Sequence, residues 1–170
     1  MSTGPSLVPC YGCGARFPDG DGPTHHYIGA SPGCWAMHGE VLARSYSVPG
    51  FGDDRMMLIN SYCVQHPGMP SPQSIQSVCA HLIGLYVVLE RSCDGKRALE
   101  AVRVAADGSS AFHWLEPPTS HYRVTILDIH HAGDPATHAV VLAEMAQITW
   151  SAWSIHHSQV RGWAAALGFH

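Results

Sequence analysis

The sequence predicts a mainly α-helical bundle carrying an irregular N-terminal arm, and three observations predict it. Two Ser-Pro steps, Ser31-Pro32 and Ser71-Pro72, each precede a run of helix-forming residues. A serine cap followed by proline is a strong start signal, because the hydroxyl satisfies an orphan N–H and proline has no N–H to orphan. Apolar residues recur at three-and-four spacing over 75–89 and 141–160, which places them on one side of a helix. Residues 1–33, by contrast, hold seven glycines and five prolines with almost no periodicity.

Each element follows in order. The first helix opens at Ser31-Pro32, runs through CWAMHGEVLARSY and stops at Pro49-Gly50. Asp53 caps a second helix over 54–65, ended by the turn Pro67-Gly68-Met69-Pro70. A third, over 72–92, is apolar nearly all round, with Ile75, Val78, Cys79, Leu82, Ile83, Tyr86 and Leu89 on one face and Leu85, Val87 and Val88 on the others. Such a helix belongs in the middle of the structure. Between 94 and 118 the pattern is weak, and alternation in 98–104 and 112–115 predicts a short β-hairpin around Asp107-Gly108. Residues 122–131 read as a strand or as a short helix opened by Thr125. Past Asp134-Pro135 the longest helix spans 136–167, with Gly168 closing it. The expected organisation is a single domain over 1–170, with an arm over 1–33 and a helical core over 34–167.

At 170 residues the chain is long enough to bury a core without disulfide staples. Nine Lys and Arg against 13 Asp and Glu give a formal charge of -4, which does not supply the basic face that phosphates require, so nucleic acid is not an expected partner. With 46% apolar residues and only 13% charged ones, disorder is excluded. The N-terminus lacks the basic start and apolar stretch of a secretory signal, and the apolar runs are interrupted too early to span a membrane, so a cytoplasmic protein is expected. In a reducing compartment six cysteines are thiols or thiolates, and Cys63, Cys79 and Cys93, set in apolar or helical patterns, read as small buried hydrophobes.

The composition is anomalous in its 13 His and six Cys, which together outnumber Lys and Arg. Both are ligands for borderline and soft metal ions. Cys10 and Cys13 form a CxxC knuckle, CYGCG, whose glycines permit the tight turn that aims two thiolates at one ion. Cys34 follows in the first turn of a helix, where the helix N-terminus favours the thiolate. The fourth ligand is open among His25, His26 and His38, and the pattern fits structural zinc. A redox CxxC is disfavoured, since the strand-before, helix-after context of a thioredoxin-type motif is missing.

His66 ends the second helix, His81 lies on the central one, and His156 and His157 lie on the last, with His157 turned to its apolar side. Singly, each reads as a core histidine bonded to a carbonyl. Together, His66, His81 and His157 predict a His-lined pocket between helices, able to hold a second metal with an open position or to work by acid–base exchange. Asp128 or Glu144 would orient one of the rings. The competing reading is a polar network of Tyr62, Gln65, His66, His81 and His157 that only fixes helix packing. His113, His121, His130, His131 and His170 read as solvated surface. Nucleophile-elbow, HExxH and phosphate-loop motifs are missing from the sequence.

The segments CYGCGA, DGPTHHYIGASPGCWAMHGEVLAR, NSYCVQHPG, SPQSIQSVCAHLIGL and WSAWSIHHSQVRGW resemble an uncharacterised bacterial family of unknown function over nearly the whole chain. The resemblance implicates Cys10, Cys13, His25, Tyr27, Cys34, Trp35, Gln65, His66, His81 and His157, and implies His25 rather than His38 as the fourth zinc ligand. Asn60 and Met145 depart from the family's pattern, which has an acid and a tryptophan there. The resemblance implies no activity. The expected function is a zinc-binding protein, with Zn2+ at Cys10, Cys13, His25 and Cys34 and a pocket lined by His66, His81 and His157 that acts on a small-molecule substrate. The alternatives are a non-catalytic zinc-stabilised interaction module and a metal sensor or carrier.

Overall fold

A computed structural model describes residues 6–108 and 111–170. Among these residues seven helices follow a short antiparallel ribbon of β1 (Leu7–Pro9) and β2 (Arg16–Pro18), in which Val8 faces Phe17. Three expected helix starts lie within a residue of their signals, but only Ser71 caps through its side chain; the Ser31 hydroxyl makes no cap bond, and Asp54, which stands where Asp53 was expected, makes none either. α1 (Pro32–Ser47) begins at the proline after Ser31, α2 (Arg55–Gln65) is preceded by Asp54, and α3 (Pro72–Leu89) is capped by the Ser71 hydroxyl, which accepts the Ser74 N–H at 3.0 Å. The mainly helical class is therefore observed.

Three expectations need correction. The segment expected to form a hairpin over 98–115 is largely α4 (Gly95–Asp107), capped by Asp94. Ala98, Ala101 and Ala105 are fully buried at three-and-four spacing, and these small side chains let α4 lie close along α3. The apparent alternation was a by-product of that stripe. The hairpin that does form lies in the arm, where irregular chain was expected. Lastly, the longest helix is two: α6 (Pro135–Ala152) and α7 (His157–Ala166), separated by one 3-10 turn at Ser154–His156. The His157 ring lies at this break, its Nε2–H donating at 2.8 Å to the Trp150 carbonyl, which also accepts the Trp153 N–H at 3.1 Å. The same ring stacks on the Trp150 indole at 3.8 Å.

The ambiguous segment 122–131 resolves as α5 (Ile126–His131), opened by a capping box in which the Thr125 hydroxyl accepts the Leu127 N–H and Asp128 accepts the Thr125 N–H. α3 packs against α2, α4, α6 and α7. It is long and apolar enough to cross a membrane by length and composition, yet more than half of it is buried inside the structure, as the central helix of a bundle requires. Gly84 permits the approach of α2, because a Cβ there would stand 2.5 Å from the Asn60 side-chain nitrogen. A second apolar cluster, with Phe17, Val41, Leu58, Tyr62, Ile126, Ile129, Leu142 and Met145, joins α1, α2, α5 and α6 to the ribbon. At roughly 1.5–3 kcal/mol per fully buried large side chain, this cluster is what holds the arm to the body.

Candidate metal centre

The ribbon turns back on itself through Cys10 and Cys13. The Cys10 N–H donates to the Ala15 carbonyl at 2.8 Å and the Gly14 N–H to the Cys10 carbonyl at 3.1 Å, which fixes a compact knuckle with both sulfurs inward. Cys34 enters from the first turn of α1, and His66 from the residue just past the end of α2. The four ligand atoms lie within 4.8 Å of one another, and all four residues are buried. A tetrahedral ion with metal–sulfur bonds of about 2.3 Å requires sulfur–sulfur edges of about 3.8 Å. The Cys13 and Cys34 sulfurs are 4.0 Å apart, and Cys34 Sγ is 3.3 Å from His66 Nε2. Disulfides need about 2.05 Å, so these sulfurs are arranged around a common centre instead of bonded to each other.

The surrounding groups fit a cation. His66 Nδ1 is 2.7 Å from the Tyr62 carbonyl. A carbonyl only accepts, so Nδ1 carries the proton and Nε2 presents its lone pair to the centre, the usual outer-shell arrangement of a metal-bound imidazole. The Ser31 N–H donates to Cys10 Sγ at 3.4 Å, and the Tyr62 hydroxyl stands 3.4 Å from Cys34 Sγ. Burial and the neighbouring Cys34 push the Tyr62 hydroxyl far above its ordinary pKa, so it remains a donor to sulfur. Hydrogen bonds from Cys13 and Cys34 hold the Cys10 thiol far below its usual range. The same bonds push Cys13 up to about 12 and raise Cys34. A divalent cation at their centre would hold all three sulfurs as thiolates.

His66 stands where the sequence reading placed His25. The reason is contact between the knuckle and the end of α2. A Cβ on Gly12 would lie 2.6 Å from both the Gln65 carbonyl oxygen and His66 Cδ2, so only glycine lets the knuckle sit on that end. His25 lies in the arm, with its ring 4.9 Å from His26, 4.2 Å from Tyr27 and 5.3 Å from Trp35. His38 stacks on Tyr62 at 3.8 Å, and burial lowers its pKa to about 4. The sequence singled out His66 for the pocket and not for the zinc, because it is 32 residues from Cys34 and no local ligand spacing ties it to the cysteines.

The structure does not bring His66, His81 and His157 together. His81 bonds through Nδ1 to the Asn60 side-chain oxygen at 2.8 Å, and burial lowers its pKa to about 4. His157 lies at the break between α6 and α7. Asp128 belongs to the α5 capping box and Glu144 pairs with Arg123 at 3.2 Å, so neither orients a histidine. Cys63 and Cys79 are buried with thiols pushed up to about 12 by desolvation, as expected of small hydrophobes, while Cys93 is partly exposed. His113, His121, His131 and His170 are exposed, and His130 pairs with Glu40 at 2.8 Å.

Among the remaining residues implicated by the resemblance, Gln65 donates to the Val124 carbonyl and the Thr149 hydroxyl, each at 3.0 Å, and Trp35 lies against His38. Tyr27 offers its carbonyl to the Ser74 hydroxyl at 3.4 Å. Neither the curated proteins nor the solved structures contain a match to this chain. A family model does match, over residues 8–154, and it spans the knuckle, Cys34 and His66 together. The chain belongs to the family of unknown function DUF5946.

Proposed function

We propose that this chain holds one zinc ion at Cys10, Cys13, Cys34 and His66, and that the ion is structural. The observation that carries the reading is the closed donor set, three sulfurs and one nitrogen, all buried and within 4.8 Å of one another. Catalytic zinc keeps a coordination position for water or substrate, whereas four protein ligands fill the tetrahedron. Zinc is favoured over magnesium or calcium by sulfur donors, and a span under 5 Å suits a single ion. The ion would join the ribbon, the start of α1 and the end of α2, which have no continuous strand or helix between them. Dispersal of the three core histidines removes the geometric support for a catalytic pocket, so the function supported best is that of a non-catalytic, zinc-stabilised module. Six free thiols accord with a reducing, cytoplasmic setting, and the charge of -4 accords with partners other than nucleic acid.

The test is metal analysis of purified protein together with cobalt substitution. One zinc per chain is expected, and the cobalt form should show the sulfur-to-metal charge-transfer and tetrahedral ligand-field bands of a site built from three thiolates and one imidazole. Cys13→Ser should shed the metal and destabilise the fold by several kcal/mol, since a structural zinc contributes its binding energy to folding. A Cys13→Ser protein that folds normally without metal would overturn the reading.

A further inference from the structure

Where the connection between α1 and α2 meets the start of α6 there is a cleft of about 270 Å³. Gly50, Phe51, Asp53 and Asp54 form one wall, and Pro135 and His138 form the other. Gly50 makes the join possible: its φ is +86°, and a Cβ there would stand 3.0 Å from the Pro135 ring. The lining holds two carboxylates and no lysine or arginine. Asp54 precedes α2 without capping it, and neither carboxylate has a hydrogen-bond or ion-pair partner among the described residues.

Free surface acids alone specify nothing, and it is His138 that gives this cleft a direction. The residue is only 3% exposed, and it lines the cleft. Arg44 of α1, held by the Ile129 and His130 carbonyls, brings Nη2 to 3.5 Å from His138 Nδ1. A guanidinium has only donors, so Nδ1 keeps its lone pair and the proton sits on Nε2. Burial first, and the Arg44 charge second, lower the pKa of the ring and keep it neutral, although Asp54 pulls the other way. Nε2 has no partner among the described residues and, unlike the His38 Nε2, is not sealed from solvent, so its N–H meets the cleft. This tautomer bars a metal ion, since the lone pair a metal would need is turned to Arg44.

We propose that this cleft binds a small primary ammonium with a neutral hydrogen-bond acceptor on the neighbouring carbon, the ammonium resting on Asp53 and Asp54 and the acceptor taking the His138 Nε2–H. Amino amides have this pattern. Their ammonium answers the carboxylates, and their carbonyl supplies the acceptor that a nearly buried N–H lacks. Phe51, Pro135, Ala136 and Ala139 offer apolar contact to a side chain. A ligand carboxylate in the same place would be repelled by Asp53 and Asp54. The site goes beyond the structural zinc and is independent of it, because Cys34 lies at the other end of α1, about 20 Å away at 1.5 Å per residue.

Leucinamide is the probe, with two matched relatives: 3-methylbutylamine, the same molecule without the carboxamide, and N-acetyl-leucinamide, which has no ammonium. Titrated at low salt into 15N-labelled, zinc-loaded protein, leucinamide should give saturable shifts at the amides of Gly50, Phe51, Ala136 and His138. The simple amine should bind about tenfold more weakly, the usual effect of losing one hydrogen bond, and the acetylated compound more weakly still. Long-range 15N spectra of the His138 ring should find its proton on Nε2. The double variant Asp53→Asn, Asp54→Asn should keep its zinc and melting temperature, since Asp54 caps nothing and neither carboxylate is paired, and should weaken leucinamide at least tenfold. His138→Phe should erase the preference for leucinamide over 3-methylbutylamine. If that variant does not fold, the aspartate variant and the matched probes decide. A proton on Nδ1, shifts that do not saturate or fall outside the cleft, equal binding of the acetylated compound, or wild-type affinity in the aspartate variant would overturn the proposal. Zinc is counted in the same samples, so loss of leucinamide binding with zinc retained counts against the cleft alone.

Discussion

The Nδ1–H of His66 donates to the carbonyl of Tyr62, one turn back in the chain, and so fixes which nitrogen faces the three sulfurs. This bond uses a carbonyl at the fraying end of α2 to aim a side chain, joining helix termination to metal coordination.

The first prediction separates His66 from His25. His66→Ala should lower zinc affinity in a chelator competition by more than the roughly 10–100-fold typical of outer-shell changes, since it deletes a ligand outright. His25→Ala, which removes an arm ring packed on Tyr27 and Trp35, should leave zinc affinity unchanged. Equal loss in both variants would contradict the geometry.

Glycine substitutions test the packing of the knuckle. Gly12→Ala should destabilise the fold by about 1–3 kcal/mol in urea unfolding, the range for overpacking, because its Cβ meets the Gln65 and Gly29 carbonyl oxygens as well as His66. Gly39→Ala, in α1 with nothing within 4 Å of the added atom, should instead stabilise by about 0.5–1 kcal/mol through helix propensity.

The dependence on pH follows from His81. Its folded pKa, about 4, lies below the ordinary 6.5, so the unfolded chain takes up a proton that the folded one refuses. The neutral fold is unpenalised above the unfolded value and loses stability as pH falls from 6.5 towards 4. Between about pH 7.5 and pH 5.5 the wild type should lose roughly 1 kcal/mol more than His81→Gln. Zinc release in acid is common to both proteins, so the difference isolates His81.

Thiol alkylation should report the two classes of cysteine. With zinc bound, iodoacetamide should modify Cys93 alone, the one cysteine that is partly exposed. Chelation should add Cys10, Cys13 and Cys34, while Cys63 and Cys79, buried and with thiols near 12, wait for unfolding. Mass spectrometry of the modified peptides gives the count. Early labelling of Cys13 in zinc-loaded protein would contradict a bound thiolate.

Legibility in the sequence was uneven, and the reason is range. Ser71-Pro72 and Asp134-Pro135 marked helix starts because caps act within four residues. The Ala98, Ala101 and Ala105 stripe failed as a signal, since alanine fits a short alternating pattern as well as a helix until the partner helix α3 is known. The split at Trp153 was equally hidden, because no proline or glycine marks it and the His157 bond to the Trp150 carbonyl reaches across seven residues.

By itself the sequence determined that the chain is mainly helical, that α3 is central and that Cys10, Cys13 and Cys34 belong to one cluster that could hold a metal ion, all properties of spacing and composition. The fourth ligand was decided only by tertiary structure, through the seating of a glycine knuckle on the end of α2. So was the dispersal of His81 and His157 to Asn60 and Trp150. The physical reason is that a buried imidazole takes whichever partner packing brings within about 3 Å, and packing joins residues that no local period connects.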